Sequence, residues 1–367
     1  MVNFEFATAG RIVFGPGKIR ELRVPGARPL LVTGRSAQVS LDAAARVLVT
    51  GEPTVDLARD GARQAREAGC DSVVAIGGGS VIDAGKAIAA LVPNSGEPLD
   101  YLEVVGHGRT LERDPLPLLA IPTTAGAGAE ATRNAVLAST EHKVKASMRH
   151  PAMLPRLALI DPELTVTLPP ALTAATGLDA LTQLIEPYVS LKANPLTSAL
   201  CAEGMRLIAD SLRRAWSDGK NLEARSAMSL ASLYGGMALA NAGLGAVHGL
   251  AAPIGGLFLA PHGAVCAALL GPVMRANIRA LRRTDSGALD RYGAVAEFLM
   301  GRGDPDAAAA WCEKLVADLK IPRLSTYGMS AGDIRVVVAR SMEASSMKAN
   351  PVKLDASELA AVLEAAL

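Results

Sequence analysis

The chain changes character at Asp161-Pro162. Before that point short apolar runs alternate with helical patterns; after it strand patterns nearly vanish, and helical periodicity continues to Leu367. RPLLVTG (28–34) reads as a buried strand ending at Gly34, and DSVVAIGGGS (71–80) as a second that runs into the helical VIDAGKAIAALV. PLLAIPTT (117–124) and LALID (157–161) read the same way. Apolar strands separated by helices require a mainly parallel sheet covered on both faces. Beyond the boundary, LPPALTAATGLDALTQLIEPYVS opens a helical series, and in NPLTSALCAEGMRLIADSLRRAW Asn194 suits a helix cap and Pro195 a first turn. A length of 367 residues exceeds one ordinary core. Two domains are expected: an α/β domain over residues 1–162 and an all-α domain over 163–367.

Composition narrows the class. Half the residues are hydrophobic but only 3% are aromatic, so the interior must be built from Ala, Leu, Val and Ile with closely packed helices. With 37 basic against 36 acidic residues there is no surplus charge of the kind a nucleic-acid binder carries. From Ser226 to Met274 no Asp, Glu, Lys or Arg occurs, a run that hydropathy alone assigns to a membrane. Gly235-Gly236, Pro253, Pro261 and Pro272 interrupt it, and it contains His248 and His262, which favours a buried helical core enclosing a site. The N-terminus lacks a signal-peptide pattern, and Cys70, Cys201, Cys266 and Cys312 form no CxxC pair. A soluble cytoplasmic protein is the expectation.

Three places carry chemistry. AIGGGSVIDAGK sets three glycines and a serine between a strand and a helix. Without β-carbons the backbone comes close to a ligand, and the helix N-terminus presents unpaired N–H groups, which suits a diphosphate. IPTTAGAGAE (121–130) is a second such turn, with hydroxyls from Thr123 and Thr124. Two of these turns after successive strands favour a dinucleotide lying over the strand ends, although neither is the GxGxxG fingerprint. In GLDALTQLIEPY, Asp179 and Gln183 share a helix face. With His248 and His262 they form a candidate set for one zinc or iron ion. The alternatives are a capping or paired Asp179 and histidines hydrogen-bonded within the core.

RIVFGPG, AIGGGSVIDAGK, IPTTAGAGAE, DPELTVTLPP, TGLDALTQLIEPYVS, HGLAAPIGGLFLAPHG and NPVKLDASELAAVLEAAL follow one another along the chain. In this order they resemble the iron-containing (group III) alcohol dehydrogenase family, whose related branches include maleylacetate reductases and glycerol dehydrogenases. The resemblance covers nearly the whole length. It implies a Rossmann-like N-terminal domain, an all-helical C-terminal domain in a dehydroquinate synthase-like architecture, NAD(P)H and a divalent metal. It further implies that Gly78, Gly79 and Ser80 hold the diphosphate with Asp83 beside it, that Thr123 and Thr124 line the cofactor, and that Lys145 is a cofactor-side lysine. Asp179, His248 and His262 sit at three of the family's four metal-ligand positions. The fourth, usually histidine, is Gln183; a further histidine near the nicotinamide is Ala252, and a threonine common in the second turn is Ala127.

The reading that follows is an NAD(P)-dependent oxidoreductase, acting as a homodimer on a small alcohol and its aldehyde or ketone, with Fe2+ or Zn2+ polarising the oxygen. A metal-free alternative, like the maleylacetate reductases, uses His248 or His262 as catalytic acid. A third is a cofactor-binding protein or lyase without redox turnover. NAD-preferring relatives often have an aspartate at the position of Gly34; with glycine there, Arg35 and Ser36 can receive a 2′-phosphate. NADP(H) is therefore expected to serve at least as well as NAD(H).

Overall fold

The computed structural model describes residues 3–35, 41–142, 144–284 and 287–367. Its chain divides into two compact units, Ala7–Val166 and Thr167–Leu367, the second joined by the N-terminal segment up to Phe6.

The α/β unit holds strands β1 (Ile12–Phe14), β2 (Pro29–Gly34), β3 (Ala45–Val49), β4 (Ser72–Gly77), β5 (Leu118–Pro122), β6 (Asn134–Ser139), β7 (Val144–Arg149) and β8 (Leu157–Ile160). Six form one sheet in the order β1-β8-β5-β4-β2-β3, with every pair parallel. The apolar runs legible in the sequence are β2, β4, β5 and β8. All four are buried over most of their length. β3 is half exposed at the sheet edge, and β6 with β7 forms a separate antiparallel hairpin. Alternating burial in β6 and β3 left no continuous apolar run to read.

Two crossover helices matter most. α1 (Val55–Glu67) starts at Thr54, whose hydroxyl caps the Leu57 N–H at 3.1 Å. α2 (Gly79–Leu91) lies against the sheet so closely that a β-carbon on Gly85 would stand 2.7 Å from that of Ala75. A one-turn helix, α3 (Pro98–Tyr101), follows. The register of β4 with β5 pairs Gly77 with Pro122, which sets the two glycine-rich turns side by side.

The second unit is helical throughout its described residues: α4 (Pro170–Val189), α5 (Pro195–Ser217), α6 (Leu222–Ala242), α7 (Ala246–Phe258), α8 (His262–Leu281), α9 (Ala288–Met300), α10 (Pro305–Asp318), α11 (Ile334–Met342) and α12 (Ala356–Ala366). α5 begins as its sequence dictates, with Asn194 capping Thr197 at 3.1 Å and Pro195 in the first turn. α4 packs against α5, α6 and α8, and its last two thirds are almost wholly buried. α8 is long and apolar enough to cross a membrane, but 78% of its apolar window is buried within the protein. α6 and α7 meet at 100°. The corner includes Gly243 at φ 71, a left-handed conformation that favours glycine.

Candidate metal centre and cofactor turns

Three helices of the second unit bring four potential ligands together. α4 supplies Asp179. α7, redirected by the corner, supplies His248 in its first turn. α8 opens on His262 and places Cys266 one turn later. One donor atom from each of Asp179, His248, His262 and Cys266 lies within 4.8 Å of the others. His248 Nε2 is 3.6 Å and His262 Nε2 3.8 Å from Asp179 Oδ1, and Cys266 Sγ is 3.6 Å from His262 Nε2. Asp179, His248 and Cys266 are buried, whereas the His262 side chain is 40% exposed, so the cluster opens on that side.

The ring of His248 is held from behind. Its Nδ1–H donates to Glu186 Oε2 at 2.5 Å, and Glu186 Oε1 accepts the Val247 N–H at 2.7 Å. That hydrogen bond orients the ring and turns Nε2 towards Asp179, where it can ligate an ion once it has released its proton. Three polar atoms of the expected ligand residues are buried without a hydrogen-bond partner: Asp179 Oδ1, His248 Nε2 and, one turn along α4 from Asp179, Gln183 Oε1. Each such orphan costs about 1–3 kcal/mol. A divalent ion bound to oxygen, nitrogen and sulfur satisfies such atoms, so the residues present fit a metal.

Charge within the cluster is mutually reinforcing. Burial alone would lift the Asp179 carboxyl, but the imidazoles of His262 and His248 bring it below the ordinary carboxylate range. Burial would likewise lift the Cys266 thiol, and the same two imidazoles bring it down. Cys266 chiefly, and then Asp179, push His262 up to about 9 against its burial.

In the α/β unit the first turn runs directly from Gly77 through Gly78 into α2, with no side chain capping the helix and no acidic residue in its first turn. The positive end of the helix is therefore open to an anion. A β-carbon on Gly79 would stand 2.9 Å from that of Ala127, and one on Gly78 3.3 Å from Thr124 Cγ2. The second turn thus packs on the first, and Gly128 within it adopts φ 58. Ser80, Thr123 and Thr124 are half-buried beside it. Gly34 closes β2, Arg35 is exposed, and Ser36 lies outside the described residues. Asp83 is turned towards the hairpin, where its Oδ2 accepts the Val136 N–H at 3.0 Å, and Lys145 pairs with Glu52 at 3.0 Å.

Sequence reasoning missed Glu186 and Cys266. Helical spacing carried a signal for both: Glu186 follows Asp179 by two turns along α4, and Cys266 follows His262 by one along α8.

The parallel α/β unit carries two packed glycine-rich turns, and the helical unit carries a carboxylate–imidazole–thiol cluster suited to a metal ion. The family model for iron-containing alcohol dehydrogenases matches residues 9–162, and that for the C-terminal part of the Fe-containing alcohol dehydrogenase family matches 173–367. The 1,3-propanediol dehydrogenase of Klebsiella pneumoniae is 34% identical over 99% of this chain and 98% of its own length. Alcohol dehydrogenase 4 of Schizosaccharomyces pombe is 38% identical over 87% of this chain and 74% of its own. The crystal structure of a 1,3-propanediol oxidoreductase superposes with a TM-score of 0.90 at 34% identity, covering 100% of both chains. Sulfoacetaldehyde reductase from Bifidobacterium kashiwanohense, solved with NAD+, gives 0.86 at 26% identity over 100% of this chain and 99% of its own. The chain belongs to the iron-containing alcohol dehydrogenase family. It is an NAD(P)-dependent alcohol dehydrogenase with a metal site at the Asp179, His248 and His262 cluster.

Proposed function

We propose that this enzyme interconverts a small alcohol and its aldehyde or ketone, with Fe2+ or Zn2+ held by Asp179, Gln183, His248 and His262. The observation that carries this reading is the set of buried, unpartnered atoms on Asp179, Gln183 and His248. The bound ion supplies Lewis acidity towards the alcohol or carbonyl oxygen, and the nicotinamide supplies or accepts hydride. The chain's own part is to hold and shape. Asp179 contributes negative charge, Glu186 keeps His248 oriented, and the exposed flank of His262 leaves room for a small substrate. Gly78, Gly79 and Ser80 cradle the diphosphate at the α2 N-terminus, with Asp83 nearby. Thr123, Thr124 and Lys145 line the cofactor. Gly34, with Arg35 and Ser36 after it, leaves space for a 2′-phosphate. A cytoplasmic homodimer completes the reading; all four cysteines are free thiols and buried.

The names of relatives range over 1,3-propanediol, long-chain-alcohol and choline dehydrogenases, so the family fixes the reaction more narrowly than the substrate. The test is metal analysis of protein purified without chelators, alongside an aldehyde and keto-acid panel with NADPH and NADH. Replacing His248 or His262 should remove metal and activity together. A variant at either position that keeps its metal but loses turnover would make that histidine the acid–base group instead.

A further inference from the structure

Gln183, one turn after Asp179 on α4, offers a metal only a neutral carboxamide, a weaker donor than imidazole. A better donor reaches the cluster from another helix. We propose that Cys266, as a thiolate, is a protein ligand of the divalent ion together with Asp179, His248 and His262. The proposal rests on the metal reading above and adds a thiolate to its carboxylate and two imidazoles.

Cys266 Sγ is 3.6 Å from His262 Nε2 and within 4.8 Å of the donor atoms of Asp179 and His248. The cysteine is fully buried at 0% exposure and fixed on α8 one turn after His262, so the helix that delivers one ligand delivers the other. An independent observation points to the same spot. Asp179 Oδ1 and His248 Nε2, on residues only 4% and 6% exposed, have no hydrogen-bond partner. The charge count is also favourable. Asp179 and Cys266 together neutralise a divalent ion, whereas Asp179 with neutral ligands alone leaves a net positive charge in a buried place. Binding forms one metal–sulfur bond and releases the thiol proton to solvent. A polarisable thiolate favours zinc or cobalt over harder ions such as magnesium.

The test uses full-length enzyme stripped with chelator and titrated with Co2+ alone. About one equivalent should bind, giving visible d–d bands and a near-ultraviolet thiolate-to-cobalt charge-transfer band. Cys70, Cys201 and Cys312 lie outside the cluster, so that band reports Cys266. Cys266→Ser should lose the band and weaken cobalt binding by about tenfold or more, while Gln183→Ala should keep the band. Bound cobalt with d–d bands but no thiolate band in the wild type overturns the proposal and leaves the metal reading standing. No cobalt uptake overturns both. The wild-type spectrum alone decides the matter if Cys266→Ser does not fold.

Discussion

Glu186 touches no predicted ligand atom, yet the geometry makes it the residue on which His248 depends. Its two oxygens take the His248 Nδ1–H at 2.5 Å and the Val247 N–H at 2.7 Å, all in buried surroundings. Truncation to Ala strands both donors. At about 1–3 kcal/mol for each buried unpartnered group, Glu186→Ala should cost roughly 2–6 kcal/mol of stability. Glu186→Gln is the informative change. A carboxamide has one acceptor oxygen for two donors, so either His248 or Val247 loses its partner, and the imidazole loses the carboxylate behind it. Losing such an outer partner typically weakens metal binding 10–100-fold. Chelator competition on Glu186→Gln should show that loss, with a smaller drop in thermal stability than Glu186→Ala. Metal affinity within about twofold of wild type, with the fold intact, would refute the claim that Glu186 orients a ligand.

Gln183→His sets a stronger donor one turn from Asp179 and should raise metal content and resistance to chelation; no gain in a folded variant would count against placing residue 183 at the ion. Gly34→Asp should shift kcat/KM towards NAD(H), because the added carboxylate repels a 2′-phosphate. The β-carbon itself fits, since its nearest neighbour is Val81 Cγ2 at 3.6 Å, so an unchanged cofactor ratio in a folded variant counts against the placement. His107, His142 and His150 should each tolerate Gln with less than about a tenfold loss in kcat, well below the loss of a general acid or base. Burial lifts the Glu130 carboxyl to about 7 and lowers the Lys86 ammonium to about 8. The raised carboxylate pKa means stability present at pH 4 is lost as pH rises from about 4.5 through 7, by roughly 3 kcal/mol at most. Denaturation of wild type against Glu130→Gln across that window checks the sign.

The architecture was legible because burial on both sides leaves an unbroken apolar word. β2, β4 and β5 are such words, and the sequence pattern found them with the helices between. β3 alternates exposed and buried residues at the edge, and β1 is only a three-residue strand, so neither stands out from loop sequence. The site divides along the same line between local and distant information. Asp179 and Gln183 share a helix face, and His248 and His262 stand out in an uncharged run. That these residues meet depends on the 100° corner between α6 and α7, a tertiary fact no spacing encodes. Cys266 was hidden for another reason. A cysteine in an apolar helix is indistinguishable by pattern from a small core residue. Only its position one turn behind His262, beside a carboxylate and an imidazole whose polar atoms lack partners, separates a candidate ligand from packing. A carboxamide at 183 read alone implies a weakened site, whereas the same carboxamide read with Cys266 in place implies a thiolate taking its part. These two descriptions predict opposite responses to Gln183→Ala: a marked fall in metal affinity for the first and little change for the second.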